Sequence, residues 1–267
     1  MFEDFGWEDE RPLAESDPVE INARESLRLF FDKNPQQVFF SRQLEVQNEG
    51  QYFHWITNRA IRDLEAEGVI LSETRPLVGG GTIKLLWHRR FRYYRRGAAR
   101  LVQLVNEYSA PNIGAALGLQ GEALVLEGFA SIEFVMKGRD KNEYGGKSWT
   151  ETEHNVDFIF ERDGQAYGIE VKNTLGYMDR IEFETKIQLC RRIGVRPVFA
   201  ARMLPKTWIK DLIDVGGFAL ILKYQLYPWA HRDLARTVRS ELGLPVDAPR
   251  RLNEGTMKRF LSWHDRL

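Results

Sequence analysis

Apolar positions along this chain recur at helical spacing in some stretches and at strand spacing in others. From Val19 to Asn34-Pro35, Ala23, Leu27, Phe30 and Phe31 share one helical face, and the proline stops the helix. Val38-Phe39-Phe40 is a short extended piece, after which Ser41 can cap a brief helix through Leu44. Tyr52 to Glu67 predicts a stronger helix, with Trp55, Ile56, Ala60, Ile61 and Leu64 on its buried stripe and Gly68 at its end. Val69-Ile70-Leu71 and Thr82 to Trp87 predict two strands around Gly79-Gly80-Gly81. Residues 98–109 predict a linking helix broken by Pro111. Residues 112–129 predict another, with Leu119, Ala123, Val125 and Leu126 apolar, ahead of a strand from Ile132 to Met136. Lys137 to Thr150 is polar and glycine-rich and predicts a mobile loop or hairpin tip.

The next stretch, His154 to Lys172, predicts a tight hairpin. Phe158-Ile159-Phe160 and the alternating Tyr167, Ile169 and Val171 flank Asp163-Gly164, a strong two-residue turn signal. With those two residues as the turn, Arg162 pairs Gln165, Phe160 pairs Tyr167, Phe158 pairs Ile169, and Asp157 falls opposite Glu170. Lys172 lies two residues beyond Glu170 and shares its face. Like charges directly opposite destabilise a hairpin, and a divalent cation held between them would supply a reason. Hard cations take oxygen ligands and are commonly held by one or two carboxylates with waters retained. A helix from Asp179 to Ile193, a strand from Pro197 to Ala201, a helix from Pro205 to Asp214 and a strand from Phe218 to Leu222 complete this region.

Asp157 together with Glu170-Val171-Lys172 resembles the PD-(D/E)XK nuclease superfamily, whose fold is restriction-endonuclease-like. Val156 stands where the family name places proline. The resemblance covers roughly residues 112–225. It implies an α/β fold, with a mixed-sheet core flanked by helices, and phosphodiester hydrolysis dependent on Mg²⁺ or Mn²⁺. It also implies that Asp157, Glu170 and the Val171 carbonyl hold the metal, that Lys172 orients or activates water, and that Glu122 on the preceding helix assists. Lys186 and Gln188 on the following helix match polar residues that such nucleases set beside the scissile phosphate. The acid-x-Lys triplet alone carries little: Glu184-Thr185-Lys186 is a second occurrence, and chance supplies roughly one or two in such a composition. Strand context and the facing Asp157 separate the first from the second. A surface hairpin with a solvated Asp and a Glu–Lys pair is the plain alternative.

The N-terminal elements are similar to a winged helix-turn-helix domain, with Arg62-Asp63-Leu64-Glu65-Ala66-Glu67-Gly68-Val69-Ile70 like the end of a recognition helix. That resemblance makes His54, Thr57, Asn58, Arg59 and Arg62 candidates to face a major groove. Residues 84–100 then carry Lys84, Arg89, Arg90, Arg92, Arg95, Arg96 and Arg100 without one acid. Interleaved aromatics (Trp87, Phe91, Tyr93, Tyr94) suit a backbone-phosphate contact, centred on Arg89, Arg92, Arg95 and Arg96.

Charge changes the picture at the N-terminus. Formal net charge is zero, yet residues 1–20 hold eight acids and one arginine, a net of −7 that leaves +7 on the rest. The expected organisation is an acidic flexible tail (1–18), a winged-helix domain with its basic extension (19–97), a nuclease core (98–226) and a basic helical C-terminal segment (227–267). The single Cys190 excludes an intrachain disulfide, and the five histidines show no metal-ligand spacing. Neither a secretory leader nor a membrane-spanning run is expected, so a soluble cytoplasmic setting is. The partner expected is DNA, with a homodimer left open, and no membrane or small-molecule cofactor is expected. Two rivals stand beside a DNA endonuclease: a non-catalytic DNA-binding regulator on the same fold, and a nuclease directed at RNA or branched DNA.

Overall fold

Asp17 caps the first helix, α1 (Pro18–Lys33), by accepting the Val19 N–H at 2.9 Å, and Pro18 sits in the first turn, where no N–H is needed. The computed structural model describes residues 17–267, so the acidic tail expected at 1–18 lies almost wholly outside the described residues. The chain is a mixed α/β protein that divides into two units. Residues up to Gly114 with Thr237–Leu244 form one, and Ala115–Arg236 with Pro245–Leu267 form the other.

In the first unit α1 is followed by β1 (Val38–Phe40), α2 (Ser41–Asn48), α3 (His54–Ala66), β2 (Ile70–Pro76), β3 (Thr82–His88) and α4 (Tyr94–Tyr108). The three strands form an antiparallel sheet in the order β1-β3-β2. Ala23, Leu27 and Phe31 of α1 meet Ile56, Ala60, Ile61 and Leu64 of α3 and Leu86 of β3 in one core, as the periodicity predicts. Trp55 is a correction. It lies outside that stripe, 43% exposed, beneath the Arg59 guanidinium. The linking helix also starts earlier than expected, at Tyr94. Tyr94 stacks on Trp87 at 3.9 Å, and this packing draws part of the basic run into the helix.

The second unit contains α5 (Pro111–Ser131), most of which lies beyond the division, then β4 (Val135–Lys141), the small hairpin β5 (Glu143–Tyr144) and β6 (Lys147–Ser148), β7 (Val156–Arg162) and β8 (Gln165–Lys172). There follow α6 (Arg180–Ile193), β9 (Arg196–Ala201), α7 (Lys206–Asp214), β10 (Phe218–Ile221), β11 (Gln225–Leu226), α8 (Arg232–Leu242), β12 (Val246–Asp247) and α9 (Glu254–His264). The main sheet is mixed, in the order β10-β9-β8-β7-β4. β8, β9 and β10 run parallel, while β7 is antiparallel to both β8 and β4. Phe158, Phe160, Tyr167 and Ile169 of the hairpin share a core with Leu124, Val125 and Phe129 of α5 and with Met257 and Phe260 of α9. On the other side Ile159 packs with Leu189, Cys190 and Ile193 of α6.

One strand boundary is corrected here. The strand after α5 starts at Val135 rather than Ile132, because Glu133 takes a left-handed turn conformation (φ 64°). Of the two forms expected for the polar stretch after Met136, a hairpin is the one seen: the chain continues β4 as an exposed edge and then closes β5 against β6, ahead of a buried Trp149. Pro245–Leu267 belongs to the second unit, where Leu252, Met257 and Phe260 join its core, and Thr237–Leu244 is grouped with the first. The division between the two units falls after Gly114. Among the described residues α5 alone is long and apolar enough, by length and composition, to cross a membrane, and its Leu124, Val125 and Phe129 are buried in the core of the second unit.

Candidate metal centre

The hairpin turn forms as its sequence predicts. Asp163 (φ 51°) and Gly164 (φ 74°) both adopt positive φ, which suits the right-handed twist of the flanking strands. The ladder runs from Arg162 opposite Gln165, through Phe160 opposite Tyr167, to Phe158 opposite Ile169. Beyond that point the pairing changes. The Asp157 carboxylate accepts the Val171 N–H at 2.6 Å and thereby takes the place of the next ladder bond. In a strand the N–H and C=O of one residue point to the same edge, so the Val171 carbonyl lies on the side of Asp157.

The two carboxylates still act on each other. Asp157 is pushed up from the ordinary aspartate value to about 7, first by burial and next by the charge of Glu170; the Val171 N–H and Lys186 oppose this, and Glu122 adds slightly to it. Glu170 is 4% exposed and is held by two lysines. Lys186 Nζ donates to its Oε2 at 2.6 Å, and Lys172 Nζ lies 3.4 Å from its Oε1. Lys186 also donates to the Asn155 carbonyl at 2.5 Å, while Lys172 donates to Glu182 at 2.7 Å. Burial would lower the Lys172 pKa, but the Glu182 hydrogen bond and the charges of Glu170, Glu182 and Asp157 outweigh it and hold the pKa above the usual lysine value.

The supporting elements follow from spacing. Glu170 and Lys172 alternate onto one face of β8, and Glu182 and Lys186 stand one turn apart on α6. Glu182 is the participant the sequence expectations omit. Its signal was that i, i+4 match to a Glu-x-Lys strand. On α5, Gly121 allows close approach to the end of β8: a Cβ there would lie 2.7 Å from Asn173 Cβ. The next residue, Glu122, binds Arg139 of β4 at 2.6 Å, and that guanidinium covers the Phe158 ring at 5.6 Å.

No family model, curated protein or solved structure matches this chain. What the site can hold must therefore be judged from its donors. Among the described residues no group of three or more His, Cys, Asp or Glu side chains is gathered for a metal. Two carboxylates and a backbone carbonyl are nevertheless an ordinary donor set for Mg²⁺, which retains several waters. The poorly compensated Asp157 supplies the local reason for a cation, so the residues fit one. Glu170 would exchange a lysine contact to join it.

The other candidate residues are placed less uniformly. Lys186 belongs to the buried charge cluster and not to a solvent-facing phosphate contact, whereas Gln188 is exposed on the far side of α6. In α3, Thr57 is fully buried and cannot face a groove; burial leads and the nearby Arg42 adds in lowering the pKa of half-buried His54. Asn58 donates to Glu45 at 3.2 Å, Arg59 to Glu20 at 2.6 Å, and Arg62 is exposed. In the basic run Lys84 pairs with Glu65 and Arg100 with Glu241. Arg89, Arg92, Arg95, Arg96 and their neighbour Arg90 remain exposed beside Tyr93, itself 87% exposed.

Proposed function

We propose that this chain hydrolyses phosphodiester bonds in DNA with Mg²⁺ or Mn²⁺, using a restriction-endonuclease-like core and a DNA-binding winged helix. The observation that carries the proposal is the Asp157–Glu170 pair with Lys172 on the face of Glu170 and Val171 between them. Further support comes from the order of the second unit, helix, strand, hairpin, helix, strand, with the acids on the hairpin. In the first unit the order helix, strand, two helices and an antiparallel strand pair suits a winged helix.

Asp157, Glu170 and the Val171 carbonyl would hold the cation, with Glu122 nearby. When bound, Mg²⁺ supplies a Lewis acid for a phosphoryl oxygen and lowers the pKa of a bound water. Lys172 acts as a cation, since its acidic neighbours keep it protonated. As a cation it orients the attacking water or stabilises phosphate charge. Glu182 and Lys186 are positioning residues for Lys172 and Glu170. Exposed Arg89, Arg92, Arg95 and Arg96 supply phosphate contacts in the first unit, and a homodimer remains compatible with this function.

A cleavage panel of duplex, single-stranded, branched and RNA substrates with Mg²⁺ or Mn²⁺ tests the proposal. Cleavage lost in Asp157→Ala and Lys172→Ala is the expected result. Full-rate cleavage in excess chelator, or survival of activity in Lys172→Ala, overturns it. One observation favours a second reading: both Glu170 oxygens are engaged by lysines and Glu122 by Arg139, as an internally neutralised, non-catalytic DNA-binding protein would also arrange them. Binding to DNA without cleavage anywhere in the panel would select that reading.

A further inference from the structure

The chain just past Lys172 is tied to a basic and aromatic cluster that the preceding proposal does not use. Asn173 is buried. Its amide donates to the carbonyls of Leu117 at 2.8 Å and Leu226 at 2.7 Å, and its Oδ1 accepts the Leu226 N–H at 2.7 Å. Gln225 closes the stitch by donating to the Asn173 carbonyl at 3.2 Å. β11 is thus fastened to the end of β8, and the chain leaving it presents Trp229, 47% exposed.

Two guanidiniums address that indole. The Arg232 and Arg250 Cζ atoms lie 5.0 and 4.6 Å from its ring centroid. Lys223 lies over Tyr224 at 5.1 Å, and Arg236 and Arg251 are exposed nearby in the chain. Asp233 partly offsets this charge, at 3.8 Å from Arg232 and 3.2 Å from Arg236, and half-buried Asp247 lies on β12. An indole this exposed contributes little to a core. Its 47% exposure leaves part of the ring open to solvent, within reach of the two guanidiniums that lie over the rest.

We propose that Trp229, Arg232 and Arg250 form a platform for an unpaired nucleotide of single-stranded nucleic acid, the base stacking on the indole and flanking phosphates meeting the guanidiniums. Only the use of the platform, holding a strand beside a hydrolytic site, rests on the proposed function. A single strand fits better than a duplex because bases within a duplex already have both faces stacked, while every unpaired base offers a free π face.

Binding measured in excess chelator separates this proposal from the cleavage question. The probes are a short oligothymidine and a duplex of equal length. The expected result for Trp229→Ala is roughly tenfold weaker oligothymidine binding, with duplex binding unchanged. Arg232→Gln and Arg250→Gln should each flatten the salt dependence on the single strand by about 0.7 log unit. The fluorescence difference between wild type and Trp229→Phe isolates this indole from the other tryptophans and should be quenched by oligothymidine. It serves as the readout if Trp229→Ala does not fold. Unchanged oligothymidine binding, an equal loss on the duplex, or an unquenched difference overturns the platform. Absent cleavage with these binding results would instead overturn the hydrolase and leave the platform intact.

Discussion

At the scale of single residues, the site is governed by how its buried charges are compensated. Asp157 has a folded-state pKa near 7, raised above its ordinary value of 3.8. A raised carboxyl contributes stability that is complete below about pH 3.8 and is lost as pH climbs through about 7, because above that the folded protein must hold an unfavourable charge. Asp157→Asn keeps an acceptor for the Val171 N–H and removes that charge. In chelator at pH 8 it should melt a few degrees higher than wild type, with the gap closing as pH falls towards 4; a pH series of melting curves checks this. Lys186 makes the opposite case. Its substitution by Met strips Glu170 of its closest cation and leaves a buried charge with Lys172 alone, which should cost about 3–5 kcal/mol in urea denaturation. A surface phosphate contact would weaken DNA binding and leave stability unchanged.

At the scale of elements, close approach decides which groups meet. Gly121 brings α5 against Asn173, whereas Gly118 on the same helix has open space around it. Gly121→Ala should therefore cost about 1–3 kcal/mol, and Gly118→Ala should be neutral or stabilise by up to about 1 kcal/mol. Parallel denaturation curves of the two variants compare them directly. The same scale shows what was legible in the sequence. The hairpin, its register down to Phe158 and Ile169, α3 and α6 all follow from strong local signals: Asp-Gly turn chemistry and apolar positions at helical spacing. β4 is expected but too early and too short, because an exposed edge strand carries no inward alternation to fix its bounds. Periodicity assigns Trp55 to the buried stripe because it counts apolar residues and takes no account of Arg59 covering the ring from outside. The Lys186 contact depends on how α6 crosses β8, and single-chain spacing suggests that geometry only through the Glu182–Lys186 pair.

At the scale of the whole chain, sequence order and spatial grouping diverge, and this was the least legible level. Nothing local in residues 245–267 reveals that Phe260 packs against Phe129 and Phe134 at centroid distances of 4.8 and 5.3 Å. Removing 245–267 should consequently abolish the cooperative unfolding of the second unit, seen as loss of a sharp thermal transition and of soluble yield; a dispensable tail would leave both intact. His264 reaches back as well, with Nδ1 2.6 Å from the Tyr167 hydroxyl and Nε2 3.2 Å from Asp163 at the hairpin turn. These long returns have a consequence for biosynthesis. A ribosome finishes the hairpin at Lys172 well before it makes α9 (Glu254–His264), the helix that helps to cover the hairpin's apolar face. During that interval Phe158, Phe160 and Tyr167 lack part of their partner surface, and the nascent chain depends on delayed folding or on a chaperone to keep them from other chains. The candidate site can therefore mature only once α9 has left the ribosome.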